Sequence, residues 1–286
     1  MLTSYQALHE QVKQSAPKIV ALVAAADPVL IEAASRAQSE GLARFILLGN
    51  ARKIESLIPP GGQDFHIVQC DDPAQEAIQQ VRQGKADLLM KGDIQTSQLL
   101  KAVLDKHTGL RQGELLNHIA VLDSPHYHKL LFISDGGINL HLDEKVFIQM
   151  VKNINTYLKR LGLSEPNYGM MGLVEAVSDR IPETVIAEQV VRTLESSISI
   201  EGPIAPDVAL SQAAARKKGI NSKIAGEIDV MLMPNTTAAN HLVKGLSALG
   251  GCKVGGVIVG AKVPIILLSR SDDADTKFRS ILLGLV

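Results

Sequence analysis

Short, continuous apolar runs alternate along this chain with stretches whose apolar positions recur every three or four residues. "IVALVAAA", "RFILLGN", "DFHIVQC" and "ADLLMKG" read as strands buried on both faces. Between and after them, "PVLIEAASRAQSEG", "ARKIESLI", "PAQEAIQQVRQGK" and "TSQLLKAVLDK" carry helical spacing; Gly41 ends the first, and Pro73 behind Asp72 opens the third. Buried strands separated by helices are the βαβ units of a parallel sheet covered on both faces. "HIAVLDS" and "KLLFISDGGINL" follow one another closely and read as a local antiparallel pair, before the long helix "DEKVFIQMVKNINTYLKRLGL". The alternation then resumes. "YGMMGLVEAVS" is a strand with its loop, "PETVIAEQVVRTLES" a helix, "ISIEGPIAPDVALSQAAARKKG" strand, loop and helix, and "IDVMLMPNTTAANHLVKGLSALGG" strand and helix. "KVGGVIVGAKVPIILLSR" adds two apolar runs broken at Gly260. With no repeat or low-complexity linker, the pattern predicts two doubly wound α/β domains with a cleft between them.

Composition narrows the partners. The chain has 286 residues, is 46% hydrophobic and has a formal charge of -1. That is enough to bury one large or two smaller cores, and too little positive charge for a nucleic-acid or anionic-membrane binder. Cys70 and Cys252 are the two cysteines and lack metal-ligand spacing, so they read as reduced thiols. The apolar run near the start is flanked by Lys18 and by Asp27-Pro28; it is too short for a bilayer and lacks the layout of a signal peptide. No two of the eight histidines have the helical spacing of a metal motif. A soluble, cytoplasmic protein without a metal site is expected.

Ligands of parallel sheets sit beyond the carboxyl ends of strands, where helices begin with unpaired N–H groups. Polar residues at these positions are Lys91, Gly92, Thr96 and Ser97 in "MKGDIQTSQLL", Asp135 and Asn139 in "ISDGGINLH", and Asn235 and Thr236 in "MPNTTAANH". Glycine lets a backbone approach an anion, and hydroxyls at a helix start bind its oxygens, although taken singly these motifs are more commonly caps and turns. Ser269 and Arg270 emerge from the last apolar run in "IILLSRSDDADTKF". Ser271 can cap the final helix, and the acids after it suit the helix dipole. A guanidinium is unwelcome at that end unless an anion shares the space, so Arg270 asks for one.

In order, "ADLLMKGDIQTSQLLKAVL", "SDGGINLHLD", "IEGPIAPDVALSQAAARKKGI", "DVMLMPNTTAANHLVKGL" and "GGVIVGAKVPIILLSRSDDADTK" resemble the phosphate acetyl/butyryltransferase family over nearly the whole chain. The wording of "KGDIQTS" and "EGPIAPD" is nearer to the butyryltransferases. The resemblance implies an isocitrate/isopropylmalate dehydrogenase-like architecture. Residues 1–143 and 257–286 would form one domain and 144–256 the other, so that Ser269 and Arg270 return beside the Lys91 loop. It implies reversible transfer of a short acyl group between CoA and inorganic phosphate, with CoA or acyl-CoA as substrate, no permanently bound cofactor, and a homodimer. Ser269, Arg270 and Asp275 become the catalytic candidates, with Asp275 as base and Asp272 or Asp273 in reserve. Lys91, Gly92, Thr96, Ser97, Asp135, Asn139, Asn235 and Thr236 become candidates for phosphate or CoA binding. Three alternatives stand beside this: a phosphate acetyltransferase, an NAD-dependent decarboxylating dehydrogenase of the same architecture, and a CoA- or phosphate-binding sensor without turnover. The dehydrogenase would need clustered metal-binding aspartates, which the candidate loops do not show.

Overall fold

A computed structural model describes residues 2–113, 115–267, 269 and 271–286. In chain order the elements begin with α1 (Tyr5–Lys13), β1 (Lys18–Val23), α2 (Pro28–Ser39), β2 (Ala43–Gly49), α3 (Ala51–Glu55), β3 (His66–Gln69), α4 (Pro73–Arg82), β4 (Leu88–Lys91) and α5 (Thr96–Val103). Next come β5 (Asn117–Asp123), β6 (Leu131–Ser134), α6 (Glu144–Arg160), β7 (Tyr168–Met171), α7 (Pro182–Leu194), β8 (Ile200–Ile204), α8 (Pro206–Ala209) and α9 (Gln212–Lys217). The last are β9 (Val230–Leu232), α10 (Thr236–Ala248), β10 (Lys253–Val259), β11 (Ile265–Ile266) and α11 (Ala274–Gly284). The architecture is mixed α/β. Two compact units make it up: a first of Tyr5–Glu114 and Gly255–Val286, and a second of Met1–Ser4 and Leu115–Val254.

In the first unit the strands run in the order β3-β2-β1-β4-β11-β10. β1 pairs in parallel with β2 and β4, β2 with β3, and β11 with β4, whereas β10 is antiparallel to β11. Val20, Leu22, Leu47, Leu88, Leu89, Ile265 and Ile266 are fully buried here. Each such side chain contributes roughly 2 kcal/mol by leaving water. β3 exposes its first and last residues, as an edge strand can. The helix α1 was not expected, although Tyr5, Leu8 and Val12 bury one face of it at helical spacing. α11 packs against α1, α2 and β11, and α4 against α5 and β1.

In the second unit the order is β5-β6-β9-β7-β8. β5 and β6 are antiparallel as anticipated, and the remaining pairs are parallel. β6 pairs with β9 at Phe132↔Val230, which carries the β5–β6 hairpin into this unit's sheet. The compact units divide at 114/115. The helix anticipated after "IEGPI" is two helices, because the Ser211 side chain accepts from Ala214 N–H at 3.2 Å and starts α9 afresh. Leu122, Ile133, Met171, Val208, Ile228 and Cys252 share the core, the thiol behaving as a small apolar group.

Candidate active site

Three strands of the first unit end side by side: Lys91 of β4 is in register with Val23 of β1, and Met90 with Ile266 of β11. Their carboxyl ends are drawn tightly together. A Cβ at Gly92 would lie 2.2 Å from the Val23 carbonyl oxygen and 2.4 Å from that of Ala24, so only glycine fits. The Asp93 N–H then donates to the Ala24 carbonyl at 2.8 Å. Ala24 itself has φ 53, a left-handed conformation uncommon for a residue with a Cβ. Beyond this turn α2 begins at Pro28, with Asp27 as its cap accepting from the Leu30 N–H at 2.9 Å.

The chain leaving β11 makes a tight loop. The Ser269 N–H donates to an Asp272 carboxyl oxygen at 2.7 Å, the Asp272 N–H to the Ser269 carbonyl at 3.2 Å, and the Ser269 and Ser271 hydroxyls are 2.9 Å apart. Asp273 caps α11, its side chain accepting from the Thr276 N–H at 2.7 Å. The expected cap, Ser271, is displaced because the helix starts two residues later than "SDDADT" suggested, leaving Ser271 to bond Ser269. Hydrogen bonds from the Thr276 side chain and backbone hold the Asp273 carboxyl below its ordinary pKa. One turn on, the Lys277 ammonium donates to the Asp272 carbonyl at 2.6 Å.

These segments meet in one pocket, lined by Asp27, Leu30, Lys91, Gly92, Asp93, Ser269 and Lys277. Lys91 and Lys277 are only 6% and 3% exposed. Lys91 donates to the Gly92 carbonyl at 3.2 Å. A buried ammonium costs several kcal/mol unless negative charge or good acceptors compensate it, and here two share a concavity with Asp27 and Asp93. Of the sequence candidates, Ser269, Lys91 and Gly92 come together here. Arg270 lies outside the described residues. Thr96 and Ser97 open α5 but do not line the pocket, and the cap of that helix, Gln95, makes no side-chain capping bond.

Asp275 does not line this pocket. Its carboxyl meets the Arg36 guanidinium at 2.9 Å and is 67% exposed, in the first turn of α11 and outside the pocket lining. Arg36 also bonds Glu40 at 3.1 Å and stacks 3.8 Å over the Phe278 ring, tying α2 to α11. Sequence reading missed Asp27, Asp93 and Lys277. Asp27-Pro28 was a visible cap signal at a strand end, and Lys277 was a lysine near a helix start, which raises the same charge question as Arg270.

The other candidates belong to the second unit. Asp135 is fully buried, and its carboxyl accepts from the backbone N–H groups of His118, Gly137, Ile138 and Asn139 and from the Asn139 amide. That carboxyl organises its loop and has no capacity directed at an anion. Asn139 also donates to the Leu116 carbonyl at 2.8 Å. Asn235 caps α10 by accepting from the Ala238 N–H at 2.8 Å, and Thr236 opens that helix. The Asp135 loop and α10 adjoin, since Asn240 donates to the Gly136 carbonyl at 3.4 Å. Among the described residues no group of three or more His, Cys, Asp or Glu could hold a metal ion, and no helix is long and apolar enough to cross a membrane.

Comparison with known proteins fits this arrangement. A sequence model of the phosphate acetyl/butaryl transferase family matches residues 62–284. The phosphate butyryltransferase of Clostridium acetobutylicum is 33% identical over 99% of this chain and 98% of its own. The phosphate acetyltransferase of Thermotoga maritima is 35% identical over 94% of this chain and 95% of its own. The crystal structure of a branched-chain phosphotransacylase from Enterococcus faecalis superposes with a TM-score of 0.85 at 30% identity, covering 94% of this chain and 98% of that one. Dehydrogenase structures match at TM-scores of 0.51 to 0.61 and 13% to 15% identity, a likeness of fold alone. The chain belongs to the phosphate acetyl/butaryl transferase family. It is a phosphate acyltransferase.

Proposed function

We propose that this enzyme moves a short-chain acyl group, butyryl above all, between CoA and inorganic phosphate, and that the pocket of the first unit receives the phosphate. The observation that carries this is the meeting of Ser269 from the end of β11 with Lys91 and Gly92 from the end of β4. In the phosphate-consuming direction a phosphate oxygen attacks the thioester carbonyl, the C–S bond breaks, and CoA leaves as a thiolate that then takes a proton. The carbonyl oxygen carries negative charge in between. Lys91 and Arg270 neutralise the phosphate, and the Ser269 hydroxyl hydrogen-bonds one of its oxygens. Holding phosphate against the thioester removes most of the entropic cost of their meeting. Thr96 and Ser97 at the start of α5 extend the anion-binding surface. Asp135, Asn139, Asn235 and Thr236 of the second unit stay candidates for phosphate or CoA binding, with Asp135 shaping the loop that carries Asn139. The reading includes two doubly wound domains of the isocitrate/isopropylmalate dehydrogenase type, a cytoplasmic homodimer and no permanently bound cofactor.

The test is thiol release from butyryl-CoA with and without inorganic phosphate, in the presence of a chelator and without nicotinamide. Phosphate-dependent release supports the transferase, and release that ignores phosphate refutes it. An acyl series from acetyl to branched chains decides between butyryl and acetyl transfer, because the first relatives to be matched include both kinds. One methylene changes binding by only about 1 to 3 kcal/mol, so rates over the whole series are needed.

A further inference from the structure

We infer that Lys277 is a further phosphate-binding cation of this pocket, beside Lys91 and Arg270, deepening the transferase reading on which it rests. Lysine is costly at this position on two counts. It is 3% exposed, so its ammonium has left bulk water, and it stands in the fourth residue of α11, at the positive end of the helix dipole. Packing does not require a cation there: its neighbours on the buried face, Phe278, Ser280 and Ile281, are apolar or small. Among the described residues it forms no ion pair, and its bond to the Asp272 carbonyl engages one of three donor positions.

Asp273 lies within its electrostatic reach but is spent on capping α11, and the surroundings of Lys277 point to a ligand for its remaining donors. Lys277 lines the same pocket as Lys91, which approaches from β4, and Ser269, which approaches from β11. Asp27 and Asp93 line it too, but the Asp27 carboxyl is engaged as the cap of α2, and Asp93 is exposed. Two buried ammonium groups from different elements, a hydroxyl and a glycine turn suit a small tetrahedral oxyanion. The bond to the Asp272 carbonyl aims the ammonium while leaving donors for the ligand. Lys277 therefore both touches phosphate and fastens the Ser269 loop, which is itself held by Asp272.

The experiment measures phosphate-dependent CoA release and the rise in Tm caused by inorganic phosphate for wild type, K277Q and K277R. K277Q keeps a hydrogen-bond donor and loses the charge. It is expected to raise the phosphate KM by roughly tenfold or more, the scale of a charge-assisted bond, with the butyryl-CoA KM changed much less and the Tm response to phosphate lost. K277R is expected to restore most of the phosphate affinity. A K277Q protein whose phosphate KM and Tm response equal those of wild type overturns the inference. Should K277Q fail to fold, wild-type protein carrying ¹³C at lysine Cε supplies the answer: inorganic phosphate shifts the Lys277 resonance, assigned by its absence in K277R, and an unmoved resonance at saturating phosphate refutes the role. Wild type without phosphate-dependent release would instead sink the transferase reading and leave the Tm and resonance tests to judge Lys277 alone.

Discussion

At Ser269 and Asp275 the same dozen residues give opposite lessons. Ser269 is exposed at the lip of the pocket and has its hydroxyl against Ser271, a neutral partner that phosphate can replace. Ser269→Ala is expected to lower kcat/KM for phosphate about tenfold or more, the range for a hydrogen bond to a charged group, without altering the thermal midpoint. Asp275→Asn, by contrast, loses only an exposed pair with Arg36, a type of contact worth little. Its turnover is expected to stay within about tenfold of wild type, below the usual effect of removing a general base. A loss of three orders of magnitude would support a proton-transfer role for Asp275. Chain order alone could tell that Ser269 follows a buried strand. It could not tell where an acid in the next helix points, because that depends on Arg36, which lies far away in sequence and beside it in space.

Among the elements, the crossing of β1 with the turn after β4 and the start of α11 invite direct measurement. Gly92→Ala forces a methyl group into two backbone oxygens, neither of which can rotate aside. A destabilisation of about 2 kcal/mol or more is expected, read as a lower denaturant midpoint at unchanged slope, and phosphate affinity should fall with it. Asp273 provides a pH-dependent cap. Because its carboxyl is held below its ordinary pKa in the folded protein, the stabilisation is complete above the unfolded value of about 3.9 and disappears as pH falls through the lower folded value. Asp273→Ala is expected to cost about 1 kcal/mol at neutral pH, with the gap to wild type closing in acid. Thermal midpoints of the two proteins between pH 7 and pH 3 decide it. Most elements were legible from period and punctuation: Asp72-Pro73, Gly41 and Gly260 mark real ends. α1 was overlooked because its one apolar face lies among polar residues. The two-residue β11 was placed within a longer run, since the apolar sequence continues past the last ladder pair, although Leu267 is only half-buried.

For the molecule as a whole, alternation of strands and helices was enough for the α/β class, and the motif order was enough for the family. Strand neighbours were not written locally. β11 pairs with β4, and Lys18 in β1 reaches the Val286 carbonyl at 2.8 Å across a sequence separation of 268 residues. Such pairings are decided by which open sheet edge the late residues can complete. Removing residues 261–286 strips β11 and α11 from the first unit and bares the edge of β4. The truncated chain is expected to associate through that edge and to show no phosphate-dependent rise in Tm, as size-exclusion chromatography and thermal scans with inorganic phosphate would reveal. A monomeric fragment that still responds to phosphate would contradict this account.

The late arrival of β11 also has a consequence for biosynthesis. A ribosome delivers Lys91 long before Ser269, so the nascent first unit must wait, with a vacancy at the middle of its sheet, until β11 has emerged. A chain abandoned early has no finished pocket and presents a sticky flank to whatever surveys unfinished polypeptides.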